Sequence, residues 1–237
     1  MPENRRLIVN GDDFGQSAGT TAGVAAAFER GVLTSASLMV RWPAAGSAAA
    51  YAAAHPSLAV GLHFDFGEWV YRNGEWTPLY EVVSLDDARA IDAEAWRQLE
   101  RFRELLGRSP THLDSHQHVH RLEPVRSPLL AIAERLNVPL RQCSPGIRYC
   151  GDFYGQTEKG APSPEAISVA ALLRIVASLP PGVTELACHP ASLDDVDSMY
   201  TSERRKELQT LCDMQVRAAL RDEQIVLQSF GDLNGID

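Results

Sequence analysis

The sequence predicts an α/β fold, specifically a TIM-like (β/α) barrel of about seven strands, in a single domain over residues 1–237. Short apolar runs alternate with helical patterns, which implies βαβ units and a parallel sheet. Acidic and histidine side chains follow several of these runs, and the carboxyl ends of parallel strands open onto one face. A length of 237 residues suits one such domain. A doubly wound open sheet is the alternative fold.

The first half of the chain contains three strand–helix units. Ser17 is a residue type that caps the start of a helix, and Gly31, because of its backbone flexibility, is one that ends a helix. Pro43 can begin an alanine-rich helix because proline fits a first turn, and Pro56 follows its end. The predicted elements are strand 7–9, helix 18–30, strand 33–40, helix 43–55, strand 58–64, an irregular segment 65–86 and a helix from Asp86 or Asp87 to Leu106.

The second half continues the alternation after a break at Pro110. Residues 142–164 are rich in glycine and proline, and a loop of this length in a compact domain is usually functional or mobile. The predicted elements are strand 112–113, helix 125–136, strand 138–141, the irregular segment 142–164, helix 165–179, strand 183–188, helix 202–221 and strand 225–230.

The charge and cysteine content exclude several classes of partner and location. The net charge of −9 and the isoelectric point of about 5.3 argue against binding to nucleic acid or to an anionic membrane. The four cysteines form no CxxC pair and are expected to be free thiols, and the N-terminus lacks a signal-peptide pattern, so a cytoplasmic location is expected. The alanine-rich helices can pack internally or across a homodimer interface, which leaves the oligomeric state open.

Two adjacent acids, Asp12 and Asp13, end the first predicted strand. Neighbouring carboxylates repel each other, and a bound cation is the usual compensation. In an extended segment their side chains point to opposite sides, so one can bind an ion while the other reaches substrate or water. A solvated Asp-Asp turn is the alternative interpretation.

Three histidines occur within five residues: His116, His118 and His120. On a strand they would share one face, whereas on a helical turn His116 and His120 would pair at the i,i+4 spacing of many metal sites. Either geometry favours a functional site for the cluster. One of the three can serve as a substrate contact or support a ligand instead of binding the ion.

His63 and His189 each follow another predicted strand, and Arg141 ends strand 138–141, where it can orient a carboxylate. His55 and His112 lack such a placement and are expected to lie outside the site. One carboxylate with two imidazoles leaves open positions on a divalent ion, which is typical of a catalytic centre. A mixed Asp/His site suits magnesium, zinc and other ions, so the sequence does not distinguish among them.

Four motifs together resemble the YdjC-like carbohydrate deacetylases, a family that includes the chitooligosaccharide deacetylases. They are NGDDFG at 10–15, GLHF at 61–64, THLDSHQHVH at 111–120 and CHP at 188–190. They follow the family's order and span most of the chain. The resemblance implies a barrel related to polysaccharide deacetylases, one divalent metal ion, an N-acetylated carbohydrate as substrate, and acetate plus an amino sugar as products.

The resemblance also implies roles for individual residues. It implies three metal ligands: Asp13, His63 and His116. Asp12 would be the general base, His189 the acid that protonates the leaving amine, and Arg141 the residue that holds Asp12 in place.

The substrate contacts are expected among residues near these motifs. The four candidates are His118, His120, Asp65 and Tyr154. Asp65 departs from the family, which usually has a hydrophobic or hydroxyl residue there, and segment 65–86 is shorter than in the chitooligosaccharide enzymes. Trp69, Tyr71 and Trp76 can stack on a sugar ring or pack beneath a loop.

Two other functions are alternatives. The first is a metal-dependent sugar phosphohydrolase or isomerase on a similar barrel, although the chain has no glycine-rich phosphate loop. The second is a non-catalytic carbohydrate-binding relative, which the complete set of acids and histidines disfavours.

Overall fold

The computed structural model describes residues 4–233, so residues 1–3 and 234–237 of the predicted single domain lie outside the described residues. Its strands are β1 Arg5–Phe14, β2 Ser35–Leu38, β3 Ala59–Phe64, β4 Gly67–Arg72, β5 Glu75–Glu81, β6 Leu113–Ser115, β7 Ile147–Cys150, β8 Gly182–Cys188 and β9 Val226–Leu227. Its α-helices are α1 Ala18–Arg30, α2 Ala45–Ala54, α3 Ala88–Leu106, α4 Arg126–Leu136, α5 Val169–Ser178, α6 Ser202–Leu211 and α7 Met214–Asp222. Two short 3₁₀ helices span His116–Arg121 and Phe230–Leu233.

Six parallel strands form the main sheet in the order β6-β3-β2-β1-β8-β7. Strands β1, β2, β3 and β6 follow one another outward on one side, and β8 and β7 return towards β1 on the other. This cyclic order belongs to a barrel, because a doubly wound sheet would continue in ascending order on both sides of the first strand. The predicted barrel-like α/β fold is therefore confirmed.

The barrel is incomplete. Within residues 4–233, no strand pairing links β7 to β6, and only a single bridge from Leu140 to Leu113 extends the sheet beyond β6. The seventh strand, β9, pairs with the amino-terminal end of β1, where β2 has not yet begun its own pairing. The result is a half-barrel whose carboxyl strand ends face one side.

The helix ends follow from the side chains at them. Ser17 and Thr20 form a reciprocal capping box at the start of α1. The Asp87 side chain accepts from two backbone N–H groups at the start of α3, and Gly107 ends that helix with φ of +65°. All six residues of β3 are buried, as expected for a parallel strand covered on both faces. None of the described helices has the length and apolarity needed to cross a membrane.

Segment 65–86, predicted to be irregular, instead contains the antiparallel β4–β5 hairpin. Its turn is Asn73-Gly74, and both residues have positive φ. An Asn-Gly pair between strand-forming residues is a strong hairpin signal in the sequence, so this element was predictable.

Other boundaries also differ. The predicted strand 138–141 is reduced to the Leu140 bridge, because the chain turns away at Gln142, which has φ of +58°. The predicted helix 202–221 is two helices, because the Asp213 side chain caps a new helix by accepting from the Gln215 N–H at 2.8 Å. Segment 142–164 contains strand β7, and the predicted strand 225–230 is only two residues long.

Candidate metal centre

A cleft of about 950 Å³ opens at the carboxyl ends of the strands and reaches under the β4–β5 hairpin. The sequence-predicted residues that border it are Asp12, Asp13, His63, His116, His118, His189 and Tyr154. The tertiary structure thus brings most of the predicted residues to one cavity, although they come from five different segments.

A bulge at the end of β1 directs both adjacent acids into this cleft. Gly11 pairs with Ala36 and Phe14 pairs with Leu38, so three steps on β1 match two steps on β2. Asp13 occupies the bulge with φ of +59°, a conformation in which Asp is enriched among non-glycine residues. Because of this bulge, Asp12 and Asp13 do not alternate across the sheet as neighbours in a regular strand would.

Asp13 lies between two histidines. Its Oδ1 is 3.2 Å from Nε2 of His63 and 3.1 Å from Nδ1 of His116. All three side chains are buried, and one potential ligand atom from each lies within 4.8 Å of the others. Two imidazoles and one carboxylate around a common point fit a divalent ion and leave part of its coordination shell free. This group is the best candidate for a metal centre.

A second group, Asp12, His63 and Asp114, meets the same distance criterion. Here, however, the Arg141 guanidinium contacts both carboxylates at 2.6 to 2.7 Å. A cation in this group would have an arginine against both of its carboxylate ligands, whereas in the group around Asp13 an arginine, Arg204, contacts only Oδ2 and leaves Oδ1 facing the two histidines. We therefore favour the group around Asp13.

His63 is held by its neighbour across the sheet. It pairs in register with Asp114 on β6, and its Nδ1 lies 2.8 Å from Asp114 Oδ1. This contact orients the ring with Nε2 towards Asp13, as carboxylates do behind metal-binding histidines. Burial alone would lower the pKa of His63, but Asp114 outweighs it and raises the pKa to about 9.

Arg204, on α6, donates to Oδ2 of Asp13 at 2.7 Å. Burial acts to raise the pKa of Asp13, but Arg204 and His116 outweigh it and hold that pKa well below its usual range. Asp13 is thus an anion on the acidic side of neutrality as well, which suits a metal ligand.

Arg141 holds the second acid, Asp12. The guanidinium donates to both oxygens of Asp12, and its Nε donates to Glu185 at 2.7 Å. Burial acts to raise the pKa of Asp12, but Arg141 outweighs it and lowers that pKa. Asp12 is therefore fixed in position as a carboxylate.

His189 follows β8 and faces Asp12 across the cleft, with its Nε2 3.8 Å from Asp12 Oδ2. Its backbone N–H donates to Glu207, and its ring packs edge-on against Tyr154 and Tyr200 at 5.5 and 5.4 Å. Burial lowers the pKa of His189 to about 4, so the imidazole is neutral near neutral pH in this state.

The histidine cluster adopts neither of the two expected geometries. It forms a 3₁₀ helix in which Gln117 and His118 have positive φ. The His116 ring faces Asp13, whereas the His118 and His120 rings lie 5.7 Å from each other and contact other residues. His118 borders the cleft and lies 3.1 Å from the Tyr149 hydroxyl. His120 is fully buried with its Nδ1 2.8 Å from Ser115 Oγ. It is not part of the cleft wall, so we do not retain it as a substrate contact.

Asp65 also lies away from the cleft. Its side chain is fully buried and accepts from four groups: the Arg41 guanidinium, the Trp42 indole, the Gly67 N–H and the Tyr80 hydroxyl. These contacts fix the base of the β4–β5 hairpin and leave no exposed oxygen for a sugar. We assign it a structural role. Tyr154, by contrast, is 37% exposed and stacks on Tyr200 at the cleft wall.

Several residues that shape the site were not among those predicted from the sequence. Asp114 lies inside the histidine motif at 111–120, so its position beside His116 was a usable signal. Glu68 borders the cleft from the hairpin. Arg204 and Glu207 belong to a charged helical run that ordinarily indicates a solvated face, yet both are buried. Their role is visible only in the tertiary structure.

Comparison with known proteins adds independent information. The sequence model of the YdjC-like protein family matches residues 6–222. A carbohydrate deacetylase from Geobacillus stearothermophilus is 34% identical, with 95% of this chain and 97% of the relative covered. A chitooligosaccharide deacetylase from Serratia marcescens is 36% identical, with 96% and 98% covered.

Among solved structures, an Enterococcus faecalis protein described as a cellobiose-phosphate cleavage protein superposes with a TM-score of 0.78 at 25% identity, covering 97% of this chain and 99% of that one. The family match spans nearly all the elements that build the half-barrel and its cleft. This chain is therefore a member of the YdjC-like protein family.

Proposed function

We propose that this protein is a metal-dependent hydrolase that removes the acetyl group from an N-acetylated sugar or oligosaccharide. The observation that carries the proposal is the convergence of Asp13, His63 and His116 beside an arginine-held carboxylate, Asp12, and a facing imidazole, His189. The similarity to carbohydrate deacetylases over almost the whole chain supports the same reaction.

In this proposal Asp13, His63 and His116 hold one divalent ion, magnesium or zinc. When bound, the ion supplies Lewis-acid polarisation of the acetyl carbonyl and stabilises the charge that develops on its oxygen. Asp114 and Arg204 keep two of these ligands in place through contacts of 2.8 and 2.7 Å.

Asp12 is proposed as the general base that removes a proton from the attacking water. Arg141 donates to both oxygens of Asp12 and so keeps this carboxylate ionised and fixed in position. A general base must be in this state to accept a proton. The water oxygen then forms a bond to the acetyl carbon.

His189 is proposed as the acid that protonates the departing nitrogen when the C–N bond breaks. Its pKa of about 4 means that the ring starts neutral near neutral pH and must gain this proton during the reaction. Asp12 lies 3.8 Å from His189 Nε2 and is the proposed source, which links the two proton transfers. The products are acetate and a free amino sugar.

The cleft of about 950 Å³ lies at the upper end of the usual range for small-molecule sites, so we propose a substrate larger than one sugar ring. His118 and Tyr154 on its wall are the proposed polar contacts, and Trp69 and Trp76 the proposed stacking surfaces. The four cysteines are free thiols, which favours a reducing compartment such as the cytoplasm as the proposed location.

The test is acetate release from a panel of N-acetylated mono-, di- and oligosaccharides, with chelated protein and with each divalent metal restored. We expect release from at least one sugar that disappears on chelation and returns with metal. Folded, metal-loaded protein that releases phosphate from sugar phosphates but no acetate would contradict the proposal. Sugar binding without turnover at any metal content would also contradict it, in favour of a non-catalytic role.

A further inference from the structure

Glu68, on the β4–β5 hairpin, is a buried carboxylate at the edge of the metal centre. Its side chain is only 3% exposed, and its Oε2 lies 3.4 Å from Nε2 of His116. Neither of these two atoms has a hydrogen-bond partner elsewhere in residues 4–233. A buried polar atom without a partner is costly, so the approach of these two atoms needs a physical explanation.

The arrangement repeats the one around the other histidine of the centre. His63 directs Nε2 towards Asp13 and Nδ1 towards Asp114. His116 directs Nδ1 towards Asp13 and Nε2 towards Glu68. Each imidazole therefore lies between the shared carboxylate and a second carboxylate of its own, which is the usual way in which proteins orient metal-binding histidines.

We propose that Glu68 is a positioning residue of the metal centre, which accepts a hydrogen bond from the Nε2–H of His116. That bond fixes the tautomer in which Nδ1 of His116 is free to bind the ion, and it makes the hairpin part of the metal centre. The inference rests on the metal ligands of the proposed function and adds a residue that acts through one of them.

The residues next to this pair fasten the hairpin in place. The Trp69 N–H donates to Oε1 of Gln117 at 2.9 Å, and Nε2 of Gln117 donates to the Trp69 carbonyl at 2.8 Å. Two consecutive hairpin residues, 68 and 69, therefore contact two consecutive residues, 116 and 117 respectively. Gln117 holds this position with φ of +50°, so the unusual backbone after His116 brings the amide to the hairpin while the imidazole stays in the cleft.

The experiment measures metal affinity directly, by calorimetric titration of Zn²⁺ into chelated protein. We expect the Kd of Glu68→Ala to be about 10- to 100-fold weaker than that of the unmodified protein, the usual effect of losing a residue behind a metal ligand. Glu68→Gln should fall between the two, because its amide oxygen can still accept from His116. Glu75→Gln, which alters an exposed acid on β5 of the same hairpin, is the matched control and should leave the Kd unchanged.

Two further readouts separate positioning from folding and from direct ligation. Thermal unfolding of the metal-free variants shows whether they fold, and the near-isosteric Glu68→Gln carries the test if the alanine variant does not. At saturating Co²⁺ the visible spectrum of Glu68→Ala should match that of the unmodified protein, because no ligand has changed.

A Glu68→Ala Kd within about threefold of the unmodified value would overturn the inference while leaving the metal centre intact. An altered Co²⁺ spectrum of Glu68→Ala would overturn it by showing that Glu68 itself binds the ion. If the unmodified protein binds neither metal, the proposed metal centre falls and this inference falls with it.

Discussion

Arg141 donates two parallel hydrogen bonds to Asp12, from Nη1 to Oδ2 at 2.6 Å and from Nη2 to Oδ1 at 2.7 Å. The two residues are 129 positions apart in the chain and meet in a buried environment. The same guanidinium contacts Asp114, which orients His63. One arginine therefore joins the proposed base to a proposed metal ligand, and its planar fork suits this use better than a lysine ammonium.

Replacing Asp12 separates catalysis from metal binding. Asp12→Asn should retain the metal, because Asp13, His63 and His116 are untouched, but lose about 10²- to 10⁴-fold in kcat because the general base is gone. Acetate release and metal content measured on the same preparation check this. Full activity in the variant would remove Asp12 as the base.

Removing the Arg141 charge should destabilise the fold. Arg141→Met leaves the buried Asp12, Asp114 and Glu185 without their shared cation, and losing one partner of a buried ion pair typically costs about 3 to 5 kcal/mol. Urea denaturation of the metal-free protein measures the change. Arg101→Met breaks an exposed pair with Glu104 and should cost less than about 1 kcal/mol. Equal losses in the two variants would contradict the predicted importance of Arg141.

Trp76 should contribute to substrate binding rather than to the chemical step. It is 50% exposed at the cleft edge, lies on the β4–β5 hairpin and meets Tyr71 edge-on at 5.5 Å. Trp76→Ala should raise KM about two- to tenfold with little change in kcat, from the loss of one aromatic stacking contact. Trp76→Phe should recover much of the affinity. A fall in kcat at unchanged KM would contradict this role.

His112 should make the fold sensitive to acid. It is buried, stacks on Phe230 at 3.8 Å and lies 3.0 Å from Ser37 Oγ through Nε2. Burial lowers its pKa from 6.5 to about 3, so the unfolded chain binds a proton at a higher pH than the folded protein. Its contribution to stability is complete above pH 6.5 and is lost as the pH falls from there towards 3.

The measurement for this effect is urea denaturation at several pH values from neutral to mildly acidic. His112→Phe keeps an aromatic ring against Phe230 but cannot be protonated, so its stability should fall less with acid than that of the unmodified protein. Parallel pH dependences for the two proteins would show that His112 does not contribute.

Local sequence patterns were enough to predict the alternation of strands and helices, because each cap and apolar run acts within a few residues. Ser17 and Gly31 bound α1 as predicted. Patterns failed where a nonlocal contact or an unusual backbone decided the outcome. Strand 138–141 shrank to one bridge at Leu140 because the chain turns at Gln142. The hairpin was a missed local signal, since Asn73-Gly74 was present in the sequence.

The sequence by itself determined which residue types reach the carboxyl ends of the strands, since Asp13, His63 and His116 each come at or shortly after the end of a predicted strand. Only the tertiary structure decided which of them share a cavity and what supports them. His118 and His120 follow His116 at regular spacing, yet the backbone has positive φ at Gln117 and His118, and His116 contacts Asp13 while the other two contact Tyr149 and Ser115. The Asp65 side chain lies in the base of the hairpin, whereas the side chains of Glu68 and Arg204 border the cleft. The directions of these side chains are fixed by burial and by contacts between segments that are distant in the chain. Such contacts leave no periodic pattern in the sequence.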